Sequence, residues 1–416
     1  MGAGGLMKVL QINSVCGIGS TGRIATDIHH TLIENSYKSY VAYGRNTPKN
    51  CENPIRIGTN YDNYLHVGLT RIFDKHGVGS VNATKAFIKN LEEINPEIIH
   101  LHNLHGYYIN IELLFNYLKQ NNKRVIWTLH DCWAFTGHCS HFEFVGCNKW
   151  KLGCFDCPEK KEYPASLFMD NSEKNFLKKK ALFTGLKDLT IITPSKWLAG
   201  LVNKSFLSEY PIKVIHNGIN LDIFKPTTNR IFREKHNLVN KFMILGVANV
   251  WNQKKGLNHF IELSNYLEED EVIVLVGLTE KQIKVLPKKI IGITLTNSTK
   301  DLAEIYSAAD VFVNPTLEDN FPTTNIEALA CGTPVFTFNS GGSYESIDET
   351  CGRIIAPKNT RGIIDCLKTY RTSKLINSSS CINRANKYNM KNQYIEYLNL
   401  YLKKGSELQE IALPSI

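Results

Sequence analysis

Short apolar runs alternate along this chain with longer segments whose apolar residues recur every three or four positions. Residues 8–12, Lys-Val-Leu-Gln-Ile, read as a buried strand. Gly17-Ile18-Gly19-Ser20-Thr21-Gly22 follows, and 23–32 has helical spacing. Strand, glycine loop and helix in that order open a doubly wound α/β unit. Runs at 40–43, 98–101, 125–129, 190–193 and 213–215 predict further strands, with a helix over 111–118. Alternation of this kind requires a parallel sheet covered by helices on both faces.

The pattern then breaks at His216-Asn217-Gly218-Ile219-Asn220, and Pro226-Thr227-Thr228 reads as a linker. A second series predicts strands at 242–247, 272–276, 292–295, 311–314 and 334–338. Its helices begin near Gly256 and cover 302–308 and 325–330. The expected organisation is two Rossmann-like α/β domains, 7–220 and 221–388, facing across a cleft. A loop over 137–160 interrupts the first domain. A helix and tail over 389–416, amphipathic across 392–404, are expected to pack back on the first domain. Residues 1–6 read as a short leader before Met7, not as a secretion signal.

Composition adds exclusions. With 416 residues, 43% hydrophobic and 21% charged, the chain is a folded globular protein rather than a disordered or fibrous one. No apolar run reaches the roughly 20 residues of a membrane-spanning helix. The net charge of +9 is uneven: residues 1–218 hold 25 Lys+Arg against 18 Asp+Glu, the remainder 23 against 21. A positive field attracts anionic surfaces or phosphorylated substrates, although it also serves plain solubility. No nucleic-acid recognition motif accompanies it, so nucleic acid is not an expected partner. Eleven cysteines in a chain without a signal point to a reducing, cytoplasmic location. Four of them, Cys139, Cys147, Cys154 and Cys157, cluster beside His138 and His141. Four thiolates can close a tetrahedral structural zinc site, while free thiols or a disulfide pair are the competing readings.

The candidate chemistry lies mainly in the second half. Asp319 stands in a polar loop at the carboxyl end of a predicted strand, and Glu327 in the helix after it. Ligands of open α/β sheets bind at that edge. Loop amides and a helix N-terminus suit phosphate oxygens there, and carboxylates suit sugar hydroxyls. The plainer reading is that these acids only decorate and cap a helix. Lys254 and Lys255, just after the first strand of the same domain, are placed to neutralise a diphosphate leaving group. In the first domain His130 ends a buried strand, and His100, His102 and His105 end the one before it. His102 and His130 are the site candidates, and His100 is read as structural. Gly17 and Gly19 would let a ligand approach the backbone. No acidic residue ends the second strand to hold a nicotinamide ribose, so the loop is read as acceptor-side.

The stretch from Pro315 to Val335, with its Glu327-Ala328-Leu329-Ala330-Cys331-Gly332-Thr333-Pro334-Val335 segment, resembles the signature of the retaining glycosyltransferases of family 4, which have the GT-B fold. Ser340-Gly341-Gly342-Ser343-Tyr344-Glu345 is similar to that family's Gly-Gly-x-x-Glu turn, and Asn217-Gly218-Ile219-Asn220 to its linker. The likeness runs from about Met7 to Lys404 and is nearest to bacterial colanic-acid, O-antigen and capsule transferases, which share the Trp133 to Cys139 segment and the cysteine loop.

The resemblance implies donor contacts from Gly19, Lys254, Lys255, Asp319, Asn320, Phe321 and Glu327. Glu327 would hold the ribose and Asp319 the transferred sugar. It implies catalytic roles for His130, Lys255 and Asp319, and acceptor-side roles for Gly17, Gly19 and His102. Asp319 stands where the family usually has Glu, and Val250 where it has Arg. The implied reaction is transfer from a nucleotide sugar, uridine favoured, to a lipid-linked or other glycan, with retention and without a catalytic metal. The inner membrane surface is the implied location of the acceptor. An epimerase, a phosphorylase or a non-catalytic sugar-binding subunit on the same scaffold are the competing functions.

Overall fold

The computed structural model describes residues 6–228, 231–373 and 375–403. It divides into two compact units, 1–215 with 394–416 and 216–393. The tail beyond 403 and the first five residues lie outside the described residues.

The first unit holds seven strands: β1 (Lys8–Asn13), β2 (Lys38–Tyr43), β3 (Pro54–Arg56), β4 (Ile98–Leu101), β5 (Arg124–Thr128), β6 (Leu189–Thr193) and β7 (Ile212–Val214). They form one sheet in the order β3-β2-β1-β4-β5-β6-β7, and every pairing is parallel. The second unit holds β8 (Phe242–Val247), β9 (Glu271–Val276), β10 (Ile290–Ile293), β11 (Val311–Asn314), β12 (Val335–Phe338) and β13 (Gly352–Ile355). Their order is β10-β9-β8-β11-β12-β13, again all parallel. Both sheets are therefore doubly wound. Strand order reverses between β1 and β4 in one and between β8 and β11 in the other, the crevices where such sheets bind ligands.

Burial explains the central strands. β4 and β6 are buried at every position, as a sheet with both faces covered requires. The edge strand β3 is short and begins at Pro54, which lacks the N–H a central strand would need. Its three residues carry no periodicity, and the sequence pattern passes over it. β10 lies two residues before the expected 292–295, because the turn with Ile290 N–H on the Pro287 carbonyl starts the strand early.

The helix Met390–Leu402 crosses the boundary between the units, and from Tyr394 onward it belongs to the first. Tyr394, Tyr397 and Tyr401 recur at helical spacing and are buried. Their hydroxyls reach Asp27 (3.3 Å), Thr128 (3.2 Å) and His100 (2.7 Å). Arg124 donates to the carbonyls of Leu400 and Tyr401, both at 2.7 Å, satisfying acceptors at the end of the helix.

Candidate active site

In the second unit the chemistry collects at the switch between β8 and β11. The loop after β8 carries Lys254 and Lys255, and the loop after β11 carries Glu318 and Asp319. Each acid has its own lysine. Lys255 Nζ lies 2.5 Å from Asp319 Oδ2 and 3.4 Å from the Glu318 carbonyl. Lys254 Nζ lies 3.1 Å from Glu318 Oε2. Glu318 is buried, while Asp319 and Lys255 remain partly open to solvent. The pair open to a ligand is thus Lys255–Asp319, and Glu318 serves the neighbouring lysine.

Backbone contacts lock the two loops together. Leu317 N–H donates to the Lys254 carbonyl at 2.8 Å. Gly256 has φ +80°, and a Cβ there would stand 2.3 Å from the Pro315 carbonyl oxygen. Gly341 has φ +54°, and a Cβ would stand 1.8 Å from the Asp319 carbonyl oxygen. Gly342 N–H donates to that same oxygen at 3.1 Å. The Gly341-Gly342 turn therefore fixes Asp319 from behind, and only glycine allows the approach.

The helix Thr323–Ala330 begins at the end of the acidic loop and holds Glu327, which is buried. Tyr306 donates its hydroxyl to Glu327 Oε2 at 3.0 Å. Burial, then the Glu327 charge, pushes the Tyr306 phenol well above its ordinary value, so it stays a donor. Asn325 ties the helix down. Its Oδ1 accepts from Asn314 Nδ2 (2.7 Å), and its amide donates to the Ser343 carbonyl (3.0 Å) and to Ser346 Oγ (3.0 Å). Asn320 and Phe321 are buried. Phe321 stacks on His216 with ring centroids 4.7 Å apart, and its carbonyl accepts from Asn217 Nδ2 at 3.1 Å. Lys254, Lys255, Asp319, Asn320, Phe321 and Glu327 thus lie on the elements framing one switch point.

Gly17, Gly19, His102 and His130 lie in the first unit, at the carboxyl ends of β1, β4 and β5. Gly17 and Gly19 have φ +67° and +65°. The helix Gly19–Glu34 starts inside the glycine loop, earlier than the 23–32 spacing predicts. Buried His102 links buried Gln11 to half-buried His130. Gln11 Nε2 donates to the Ala25 carbonyl (2.9 Å), leaving its Oε1 to accept from His102 Nε2 (3.0 Å). His102 Nδ1 meets His130 Nε2 at 3.1 Å. Burial lowers His130 to about 4, with His105 adding to the effect and Asp131 opposing it. His102 lies well below the ordinary histidine value, again through burial first. Both rings are neutral at pH 7.

Beside them Asp131 Oδ2 lies 2.7 Å from His105 Nε2, whose Nδ1 meets the Tyr163 hydroxyl at 3.0 Å. Burial alone would raise Asp131, but the His105 charge and hydrogen bond outweigh it and hold the carboxyl at about 2. His100 bonds Tyr401 and Thr128 and is structural.

The cysteine loop packs against this region. Cys139, Cys147, Cys154 and Cys157 line one small cavity with Phe142 and Trp150. The Cys139–Cys157 hydrogen bond lowers the Cys157 thiol to about 7. Gly137 N–H points at Cys154 Sγ from 3.1 Å. Among the described residues, no group of three or more His, Cys, Asp or Glu is arranged to hold a metal ion. The loop is anchored by two buried basic side chains, His138 and Lys179. His138 Nδ1 lies 2.5 Å from Asp74 Oδ1. Lys179, lowered to about 7 by burial, donates to the carbonyls of Trp133 (2.7 Å) and Thr136 (3.1 Å).

Gln11, Tyr306 and Asn325 escape the sequence reading. Gln11 left a trace, as a polar residue at the centre of an apolar strand. Tyr306 left none, since an aromatic at helical spacing reads as core.

Two doubly wound parallel sheets, one in each unit, are the GT-B architecture. The model for Glycosyltransferase Family 4 matches residues 21–223, and that for Glycosyl transferases group 1 matches 241–371. The chain belongs to the family 4 glycosyltransferases. It is 23% identical to the putative colanic acid biosynthesis glycosyl transferase WcaC of Escherichia coli strain K12, across 87% of this chain and 90% of that protein. It is 28% identical to an Escherichia coli UDP-Gal:alpha-D-GlcNAc-diphosphoundecaprenol alpha-1,3-galactosyltransferase, across 48% of this chain and 56% of that protein. Among solved structures it is similar to the sucrose-phosphate synthase of Thermosynechococcus elongatus (TM-score 0.70, 16% identity, 95% of this chain and 98% of the other). It is also similar to Anabaena Alr3699/HepE in complex with UDP-glucose (TM-score 0.65, 14% identity, 95% and 100%).

Proposed function

We propose that this protein transfers a sugar from a nucleoside-diphosphate donor, uridine favoured, to a lipid-linked glycan acceptor in bacterial surface-polysaccharide assembly, at the cytoplasmic face of the membrane. The observation that carries the reading is the Lys255–Asp319 pair at the β8/β11 switch. An arriving diphosphate draws the Lys255 ammonium from Asp319 and frees that carboxylate to accept sugar hydroxyls. Lys254 adds a second positive charge, and Glu327, steadied by Tyr306, accepts the ribose hydroxyls. The names of relatives support the donor and acceptor classes, since one uses UDP-galactose and a diphosphoundecaprenol-linked sugar.

The transfer retains configuration. The acceptor oxygen attacks the anomeric carbon on the face from which the phosphate departs. The C–O bond to phosphate breaks as the C–O bond to the acceptor forms, and the acceptor proton passes to the departing phosphate oxygen. Lys255 stabilises the charge that grows on that oxygen, the term that usually dominates such steps. The two lysines do this work without a divalent ion. His130, His102 and the Gly17–Gly19 backbone serve the acceptor side and the reacting sugar.

The test is a thermal-shift screen against nucleotide sugars, followed by turnover of Glu327→Ala and Lys255→Ala. A donor at 100 times its Kd should stabilise by about 2.7 kcal/mol. Each variant should lose at least about 100-fold in turnover. Undiminished turnover in both variants, or epimerised donor formed without acceptor, would overturn the assignment.

A further inference from the structure

The helix Asn60–Phe73 is amphipathic in the reverse sense. Its inward face is polar: Asn63, His66 and Thr70 are the buried residues. Each is satisfied there. Asn63 donates to the Tyr107 carbonyl (3.0 Å), His66 meets Ser80 Oγ (3.0 Å), and Thr70 donates to the His66 carbonyl (2.9 Å). Its outward face is apolar: Tyr61, Tyr64, Leu65, Leu69, Ile72 and Phe73 are all exposed, Tyr61 and Tyr64 at 70% and 74%. Their spacing puts all six on one side of the helix.

A second segment enlarges the face. Leu167 N–H donates to the Arg71 carbonyl (2.8 Å) and Met169 N–H to that of Ile72 (3.3 Å). This sets Leu167, Phe168 and Met169, all exposed, beside the end of the helix. A contiguous apolar face of this extent marks a docking surface rather than scattered exposure.

The charges around it are mainly basic. Lys75 Nζ lies 5.7 Å from the Phe73 ring, Lys160 Nζ donates to the Phe168 carbonyl at 3.4 Å, and Arg71 and Lys161 adjoin. The nearest acids are engaged internally: Asp62 caps the helix through Thr59, Asp74 pairs with His138, and Asp170 accepts from Cys157 and Ser172 N–H. Asp170 is nonetheless exposed, as are Glu162 and Glu173, so the acids near the face do not vanish but are outnumbered by Arg71, Lys75, Lys160, Lys161 and Lys174.

We infer that this face, the helix Asn60–Phe73 with residues 167–169, lies in the interfacial layer of an anionic membrane. Tyr and Phe rings suit the headgroup boundary, aliphatic side chains enter the acyl region, and lysines meet anionic headgroups. Among the described residues no helix is long and apolar enough to cross a membrane, so binding would be peripheral. The inference rests on the proposed lipid-borne acceptor only for its purpose; the surface itself is read from the helix.

The test is flotation with vesicles of phosphatidylglycerol and phosphatidylcholine, using the full chain without donor or acceptor. The protein should float with phosphatidylglycerol vesicles, weaken as salt rises, and bind pure phosphatidylcholine at least about fivefold less. Leu65→Ser/Ile72→Ser should lower binding at least tenfold while its thermal unfolding and donor-induced thermal shift stay unchanged. Lys75→Glu/Lys160→Glu should remove the preference for anionic lipid. Failure of the wild-type protein to float, or equal flotation of the serine variant, would overturn the inference. So would a wild-type dimer in sedimentation equilibrium that the serine variant dissolves without any vesicle binding, since a second copy would then be the occupant. Because flotation needs no turnover, a protein that floats but transfers no sugar refutes the proposed reaction alone.

Discussion

His102 and His130 meet through one ring nitrogen each, Nδ1 to Nε2 at 3.1 Å, with their planes 14° apart. Neither is charged, so one must donate, and Gln11 decides which. Its amide N–H₂ is committed to the Ala25 carbonyl, so its oxygen takes the His102 Nε2 proton. His102 then accepts at Nδ1, and His130 must carry its proton on Nε2. The tautomer follows from the partners, and it makes Nδ1 the basic nitrogen of His130.

Gln11→Glu reverses that order. A carboxylate beside His102 favours its protonated form, which donates from Nδ1 and forces the proton of His130 onto its own Nδ1. The expected result is an inverted ¹⁵N pattern for His130 and a kcat/KM lower by about 100-fold, with a changed pH profile. Unaltered nitrogen shifts would show that Gln11 does not set the tautomer.

Lys255→Met and Asp319→Asn should separate two roles of one ion pair. Losing the ammonium removes charge stabilisation in the transition state and should cut kcat by about 10²–10³. Losing the carboxylate charge frees Lys255 and weakens sugar recognition. Its effect should appear more in KM for the donor and in discrimination between sugars. Steady-state kinetics over a panel of donors reads both.

Tyr306→Phe removes the hydroxyl that holds Glu327. A hydrogen bond to a charged group contributes about 1.5–3 kcal/mol. The donor KM should therefore rise about 10-fold or more, with kcat changed little. The same substitution should barely affect a donor lacking ribose hydroxyls, which isothermal titration can measure.

The first unit should be acid-sensitive. Burial first lowers His66 and His130 to about 4 and His100 to about 3, and places His76 and His102 well below the ordinary value. The unfolded chain protonates all five near pH 6.5, so below that pH it binds more protons than the fold and stability falls as pH falls. Each contributes up to about 1.4 kcal/mol per pH unit until its folded pKa is reached. His138 acts in the opposite sense. Burial opposes its charge, but Asp74 outweighs burial and raises it. Urea unfolding between pH 7.5 and 4.5 should show the midpoint dropping steeply below 6.5. A flat profile would contradict the neutral cluster.

Much of the second unit's architecture was legible in the chain. The strand at 311–314 and the acidic loop and helix after it follow from local pattern, because a buried parallel strand is a short apolar run and a loop announces itself by polarity. The Asp319 and Lys255 positions could be named as candidates for the same reason. Their pairing could not, since 64 residues separate them and only the adjacency of β8 and β11 brings them to 2.5 Å.

Sequence alone determined the alternation of strands and helices, the break between the two series and the residue types able to grip a charged ligand. These depend on neighbours along the chain. Tertiary structure decided that Glu318 serves Lys254 while Asp319 faces Lys255, that Gln11 governs two histidines, and that the helix Asn60–Phe73 turns its polar side inward. The physical reason is the same in each case. Helical spacing tells which residues share a face, but only packing against the rest of the unit tells which face is covered and which partner a buried polar group finds.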